Sequence, residues 1–336
     1  MNWQRVWRSL RAEFGRSPMA KLGVVLILAV FLMAIFAPFL ATTNPKAQDL
    51  SRANEPPVGF TDITEDTRLV DGERQTVTVT TRGTLEYPLG TNQLGQDMYS
   101  RLLYGARTSL LVGLLGTTIA ALAGVSVGMV AGYYGGRVDD GLMRFADVML
   151  AFPALVLAIA LIGLLGPRAV DIPDPFVAAG LVSDMPETTV LPVTVTFVVA
   201  LVNWVWFARV ARGEALSVRE KNYVKASRSL GASDWRLMLK HVLPNSLTPI
   251  LVLATVQVAV IILLESALSF LGFSGTTLSW GFDISQGRDL LATSWWISTM
   301  PGLAIVVTVI GINLVGDWLR DALDPDIEGE SGGGMG

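Results

Sequence analysis

The sequence predicts an all-α polytopic membrane protein: six transmembrane helices, an N-terminal amphipathic interfacial helix and a small, partly β extracytoplasmic loop region. Composition is the first ground. Of 336 residues, 51% are hydrophobic and only 16% charged, where soluble domains carry about 25% charged residues, and the mean hydropathy is +0.50. The second ground is that charge is cleared from six stretches, 22–45, 108–136, 148–167, 188–207, 242–264 and 290–316. Each is about 20 residues or longer, the length an α-helix rising 1.5 Å per residue needs to cross roughly 30 Å of hydrocarbon. The third is the placement of cations. With the N-terminus inside and the helices alternating, 16 of the 25 Lys and Arg residues fall in inner segments, as the positive-inside rule requires. Both termini are therefore expected to be cytoplasmic.

Residues 1–18 read as an amphipathic helix. Trp3, Val6, Trp7, Leu10 and Phe14 recur at helical spacing, and Arg5, Arg8, Arg11 and Arg16 fill the intervening positions. Such a helix suits the inner interface, with rings at headgroup depth and guanidinium groups on lipid phosphates. Residues 19–41 form the first transmembrane helix; without a small-residue cleavage site it reads as a retained helix and not a signal peptide. Residues 42–108 are the extracytoplasmic region. Alternation over 76–80 (TVTVT) reads as a short strand, with Asp71-Gly72 as a hairpin turn before it. From Asn92 to Tyr104 the pattern turns helical and leads into the second span. Gly113, Gly116, Gly124, Gly128 and Gly132 in that span read as small residues for close helix contact. Trp295 and Trp296 read as interfacial anchors before the sixth span, and the Gly-rich, acidic tail 326–336 as disordered.

Several function classes are excluded. The chain has no cysteine, so disulfides, thiolate zinc sites and a Cys nucleophile are out of play. Its single histidine, His241, removes a multi-His metal centre and the usual triad base. No GxxxxGK[ST] loop is present, so any ATP must be hydrolysed by another chain. No catalytic residue, metal site or cofactor is expected here, and the lipid bilayer, with no nucleic acid, is the expected surrounding; the net charge of −4 is unusual for a membrane protein and reads either as adaptation to high salt or as an acidic tail and outer loop.

The inner loop at 212–245 is the most informative stretch. Tyr223, Val224, Ser227 and Leu230 are expected to face one way, with Arg219, Lys221, Lys225 and Arg228 toward water. Gly231 reads as a helix stop, Ser233 or Asp234 as the cap of a second short helix, and Pro244 precedes the fifth span. An apolar knuckle between charged flanks suggests a docking surface for a partner.

At this loop the sequence resembles the permease subunits of ABC importers, whose motif is EAA, three residues, Gly, nine residues, then a hydrophobic residue before x-Leu-Pro. Lys225-Ala226-Ser227, Gly231, His241 and Leu243-Pro244 stand at those offsets, with Lys225 replacing the usual Glu and His241 the usual Ile. Residues 89–109, LGTNQLGQDMYSRLLYGARTS, resemble the LGTDxxGRDxxSRxxxGARxS stretch of the dipeptide/oligopeptide/nickel permease family, with Asn92 for Asp and Gln96 for Arg. Residues 265–273 and 311–325 resemble that family's fifth and sixth helices, and the likeness runs from 19 to 325 apart from an insertion within about 58–86.

The resemblance implies a five-helix permease domain over 109–325 and a role as the binding-protein-dependent transport inner-membrane component. It implies a homologous second permease, two ATP-binding-cassette ATPases that bind the ATP and Mg, and an extracytoplasmic solute-binding protein. Glu220, Tyr223, Val224, Lys225, Ala226, Ser227, Leu230, Gly231, Leu243 and Pro244 would form the ATPase-coupling loop. Glu265, the lone acid of the fifth span, either lines the translocation path or bonds a neighbouring helix. Di- or oligopeptides are the expected solute, with nickel or another non-peptide solute as the alternative on the same architecture. A stand-alone channel or ion-coupled carrier would want several buried charges or broken helices and leaves the organised inner loop unexplained.

Overall fold

The computed structural model describes residues 3–70 and 73–323; the Asp71-Gly72 turn and the tail 326–336 lie outside the described residues. Helix α1 (Trp3–Arg16) leads into α2 (Pro18–Ile35). There Ser17 Oγ accepts from the Ala20 N–H at 3.2 Å and Pro18 occupies the first turn, where its missing N–H costs nothing. After a break at Phe36, α3 (Ala37–Leu40) completes the first crossing.

Beyond it β1 (Thr61–Val70) and β2 (Glu73–Arg82) pair antiparallel, in register from Thr61↔Arg82 to Val70↔Glu73. The strand read at 76–80 is thus half of a ten-residue ladder. Its partner TDITEDTRLV has no apolar alternation to signal a strand, and its extended state comes from cross-strand pairing.

Helix α4 (Met98–Tyr134) is 37 residues long, about 55 Å. It starts later than the helical pattern from Asn92 suggests. The Asn92 side chain accepts from the N–H groups of Leu94 (2.9 Å) and Gln96 (3.0 Å), making a local turn that competes with helix. The Asp97 carboxylate then caps the helix, accepting from Tyr99 N–H (3.1 Å) and Ser100 N–H (3.0 Å).

The third predicted span is not one straight helix. α5 (Gly136–Ala151) and α6 (Ala154–Leu165) meet at 94°. Pro153 forces the bend: its ring pushes Phe152 to an extended conformation (φ −93°, ψ 138°), which no α-helix can continue through. A short hairpin of β3 (Val170–Pro173) and β4 (Thr188–Leu191), with the single turn α7 (Pro175–Ala178) between them, returns the chain to α8 (Val193–Arg219). Then come α9 (Asn222–Ser229), α10 (Asp234–Leu237), a π-helical turn (Met238–Val242), α11 (Leu243–Phe270), α12 (Trp280–Gly287) and α13 (Trp296–Leu323). Among the described residues five helical stretches are long and apolar enough to cross a membrane, and the bent pair makes up to six.

Helices α4 and α8 form the central pair. A Cβ added to Gly124, Gly128 or Gly132 would fall on the backbone carbonyl of Trp204, Ala208 or Arg212. Both rows advance four residues at a time, so the two backbones run in near contact over two turns. α11 packs on α4, α8 and α13, α2 on α13, and α6 on α8. Trp296 is fully packed inside, donating its indole N–H to the Thr91 carbonyl at 2.9 Å. It is therefore a buried bolt rather than an interfacial anchor, because the loop at 89–97 folds back over it.

Candidate functional site

The loop between α8 and α11 is built from its base outward. Val224 is 0% exposed and joins Leu237, Met238 and Val242 in the apolar cluster that also holds Trp204, Phe207 and Ala208 of α8. It therefore points inward, opposite to Tyr223 and Leu230, with which the sequence grouped it. The separation follows from the helix itself: at 100° per residue Tyr223 and Val224 cannot share a face. Leu230 is 89% and Trp235 65% exposed, and Tyr223 and Leu239 are also open. Among the described residues of the loop these four are the exposed large apolar side chains. Ala226, Lys225 and Glu220 are exposed as well, and Ser227 is half-buried.

Of the cations expected to face water, Arg219 is half-buried, and Arg228, exposed as expected, is nevertheless tied to the end of α4. Arg219 donates from Nη1 to the carbonyls of Gly132 (2.8 Å) and Tyr133 (3.1 Å), satisfying acceptors that the end of α4 leaves without intrahelical partners and adding a cation at its negative pole. Arg228 donates to the Tyr133 hydroxyl at 2.8 Å with its guanidinium over the ring at 5.2 Å. The same hydroxyl donates to Asp234 at 2.7 Å. Tyr133 thereby links α9, α10 and the end of α4. Sequence reasoning missed it; the only signal is an aromatic pair, Tyr133-Tyr134, at a helix end before two glycines.

Lys225, the cation in the place of the family's acid, is matched within its own loop: Nζ lies 2.9 Å from Glu220 Oε2. The ammonium bonded to it holds Glu220 below the usual carboxylate range. Both groups are more than half exposed, so the pair orients the side chains and contributes little stability.

Gly231 closes α9 with φ +85°. Its N–H donates to the Arg228 carbonyl (2.9 Å) and the Ala232 N–H to the Ser227 carbonyl (3.2 Å), the two crossed bonds of a Schellman end. A Cβ here would meet nothing within 4 Å, so the demand for glycine is conformational and not steric.

The second short helix is not a separate piece. α10, the π turn and α11 run on as one 37-residue stretch, Asp234–Phe270. Leu243 N–H bonds back to the Met238 carbonyl, five residues away. The wide turn makes room for Pro244, which lacks an N–H and whose ring would strike the Lys240 carbonyl in a regular α-helix. Leu243-Pro244 thus sits where the loop becomes the membrane helix, both residues half-buried. The rings of Tyr223 and His241 lie 5.9 Å apart across this junction.

At the other end of the bundle Glu265 is 0% exposed and accepts hydrogen bonds from Ser109 (3.0 Å), Ser266 (3.3 Å) and Ser269 (2.6 Å). The stretch at 89–109 is a set of fasteners. Arg101 is buried against Asp283, its Nε at 2.9 Å. Arg107 pairs with Asp174 and donates to the Ile35 carbonyl at 2.8 Å at the end of α2. Asn92 and Gln96, the two departures from the family pattern, bond each other at 2.9 Å. No cluster of three or more His, Cys, Asp or Glu able to hold a metal exists among the described residues.

Residues 124–329 match the model of the binding-protein-dependent transport system inner membrane component, and residues 2–57 match the N-terminal transmembrane domain of oligopeptide transport permease C. The chain belongs to the first of these families. It is a multi-pass membrane permease subunit of an ATP-binding-cassette importer, a transport component and not an enzyme of covalent chemistry. A relative named as a peptide transport system permease protein, from Brucella suis biovar 1, is 36% identical over 92% of this permease and 88% of its own length. The dipeptide transport system permease protein DppC of Bacillus subtilis is 34% identical over 96% of this chain and 86% of its own. The fold is that of the inward-facing MetNI methionine ABC transporter, whose matched chain superposes with a TM-score of 0.51 at 14% identity, covering 67% of this permease and 97% of that chain.

Proposed function

We propose that this permease forms half of the translocation path of a di-/oligopeptide importer in the cytoplasmic membrane, with both termini in the cytoplasm. A homologous permease forms the other half. Two ATPase subunits, which hold the ATP and Mg, dock on the loop of α9 and α10, and an extracytoplasmic binding protein delivers the peptide. The observation that carries the coupling role is the loop's construction: the exposed apolar side chains of Tyr223, Leu230 and Trp235 on a base locked to the end of α4. Apolar area left in water there is stabilised by burial against a partner, at about 25 cal/mol per Å². Motion of the partner then reaches α4 through Arg219 and Tyr133, and α11 through the continuous helix from Asp234. The peptide class is supported by the names of the relatives.

Glu265 is assigned to packing: buried among three serine donors, it fastens α11 to Ser109 of α4. The test is purification in mild detergent, identification of the co-purifying chains, and uptake of radiolabelled alanine peptides of two to five residues by the reconstituted complex. The expected result is a second permease and ATPases in the complex and saturable, ATP-dependent uptake, with Glu265→Gln within about tenfold of wild type because an amide keeps most of the hydrogen bonds. Uptake by this chain alone contradicts the proposal, and abolished uptake in a normally assembled Glu265→Gln complex contradicts the packing role.

A further inference from the structure

The helix that breaks between α5 and α6 breaks near the centre of the membrane. The level is set by α8: Phe145 of α5 stacks with Trp204 at 5.9 Å, and Ala158 of α6 packs in the apolar cluster of Val198, Val199 and Val202. From Val193, where α8 begins, to Trp204 is about 16 Å, close to half of the roughly 30 Å hydrocarbon core. The bend at Pro153 leaves the N–H groups of Phe152, Ala154, Leu155 and Val156 and the carbonyls of Ala151 and Phe152 without hydrogen-bond partners among the described residues. The chain does not cover them. Phe152 is 53% exposed, and Ala151, Pro153 and Ala154 are exposed beside it. Hydrocarbon cannot solvate such groups, and non-helical backbone occurs at this depth only where it is buried in protein or lines a water-filled cavity.

A second, independent observation favours water. Arg137, Asp140, Arg144 and Asp147 recur at intervals of three and four along α5, so they share one face, and Ala151 continues that face to the break. All five are exposed. Asp147, one turn before the break, pairs with Arg209 of α8 at 2.7 Å, and the two side chains stay 62% and 47% exposed. Arg209 is about 8 Å from Trp204 along α8, still within the apolar layer. Lipid or an apolar partner surface against an open ion pair at that depth is costly, whereas water stabilises it. The charges alternate in sign along the face, so neither end of a zwitterion is held back by it.

We propose that this face of α5 and the break line the water-filled path by which solute leaves toward the cytoplasm, with the free backbone groups of the break meeting the amide groups of a peptide in transit. The assignment rests on the peptide-transport reading above, and the test keeps the two apart. The chain has no cysteine, so a single introduced cysteine reports water access directly. Ala151→Cys and Ala154→Cys, with Leu122→Cys as reference, are treated from the cytoplasmic side with a membrane-impermeant charged thiol reagent in the reconstituted complex, and modification is followed on this chain by mass. Leu122 is 68% exposed at a similar depth, two residues from the Gly124 that meets the Trp204 carbonyl, but it stands on an apolar face with Leu115 and Ile119. Both cysteines at the break should react about tenfold or more faster than the reference, because the thiolate is the reactive form and apolar surroundings suppress it. Excess dialanine should slow them, and the modified complexes should lose uptake of radiolabelled dialanine. Cysteines at the break as slow as the reference overturn the proposal and show the break to be covered by another chain. Fast reaction that dialanine does not slow, in a complex whose uptake survives modification, also overturns it, since the water then lies outside the path. If the unmodified complex takes up no dialanine, the peptide reading falls, and the rates alone decide the break: faster than the reference supports a wet break, equal rates overturn it.

Discussion

Burying Arg101 against Asp283 takes two charges out of water, a cost that their attraction and hydrogen bonds must offset. The aspartate keeps one oxygen without a hydrogen-bond partner, so the pair fastens α4 to α12 without being an optimal source of stability. Asp283→Ala is expected to destabilise the complex by about 3–5 kcal/mol, since it leaves a buried guanidinium unpaired. Arg101→Met/Asp283→Leu should recover most of that. Thermal unfolding of the purified complex reads both, and a single variant that melts with wild type would show that the guanidinium finds water or another acceptor. Residue identity at this scale was partly legible. Gly231 announced its left-handed conformation, because a helix that must end before a second cap leaves few residues able to stand there. The partners of Arg219 and Arg228 were not legible. They lie 87 and 95 residues away in the chain, and a basic loop is what topology alone demands, so the charge pattern carried no trace of Tyr133.

Helix α4 against α8 is the element that most depends on an absence of side chains. Gly128→Val would place a branched Cβ on the Ala208 carbonyl, an overlap relieved only by parting the two helices. The expected cost is about 1–3 kcal/mol or more, read as lower yield and a lower melting temperature of the complex. Leu122→Ala on the same helix removes a side chain that is 68% exposed, away from the α8 contact, and should change neither. Equal effects from the two would contradict the close approach. The glycine spacing made this contact legible. The 94° bend between α5 and α6 was legible in principle from Pro153, but an unbroken run without charge hides a proline among apolar neighbours. The start of α4 was misplaced for the opposite reason. Asn92 supplies its own side-chain acceptor and closes a turn, a local competition that hydropathy does not register. The π turn at Met238–Val242 belongs to the same class: Pro244 reads as a boundary, whereas the structure carries the helix past it by widening one turn.

At the scale of the whole molecule, the five to six candidate spans among the described residues follow from where charge is absent, and the loop of α9 and α10 from where cations gather. The two ends are joined by α4: Arg101 and Ser109 fasten its first half to α12 and α11, and the α9 loop is fastened to its last turn. That continuity is the central claim, and Gly231 is where it is weakest, since a β-carbon there opposes φ +85° at a cost of roughly 1 kcal/mol or more without touching a neighbour. The most direct measurement is peptide-stimulated ATP hydrolysis, together with ATPase co-purification, in the assembled complex carrying Gly231→Val. The account predicts a chain that inserts normally but retains less ATPase and loses the stimulation by peptide. Wild-type retention and stimulation in that variant would contradict it.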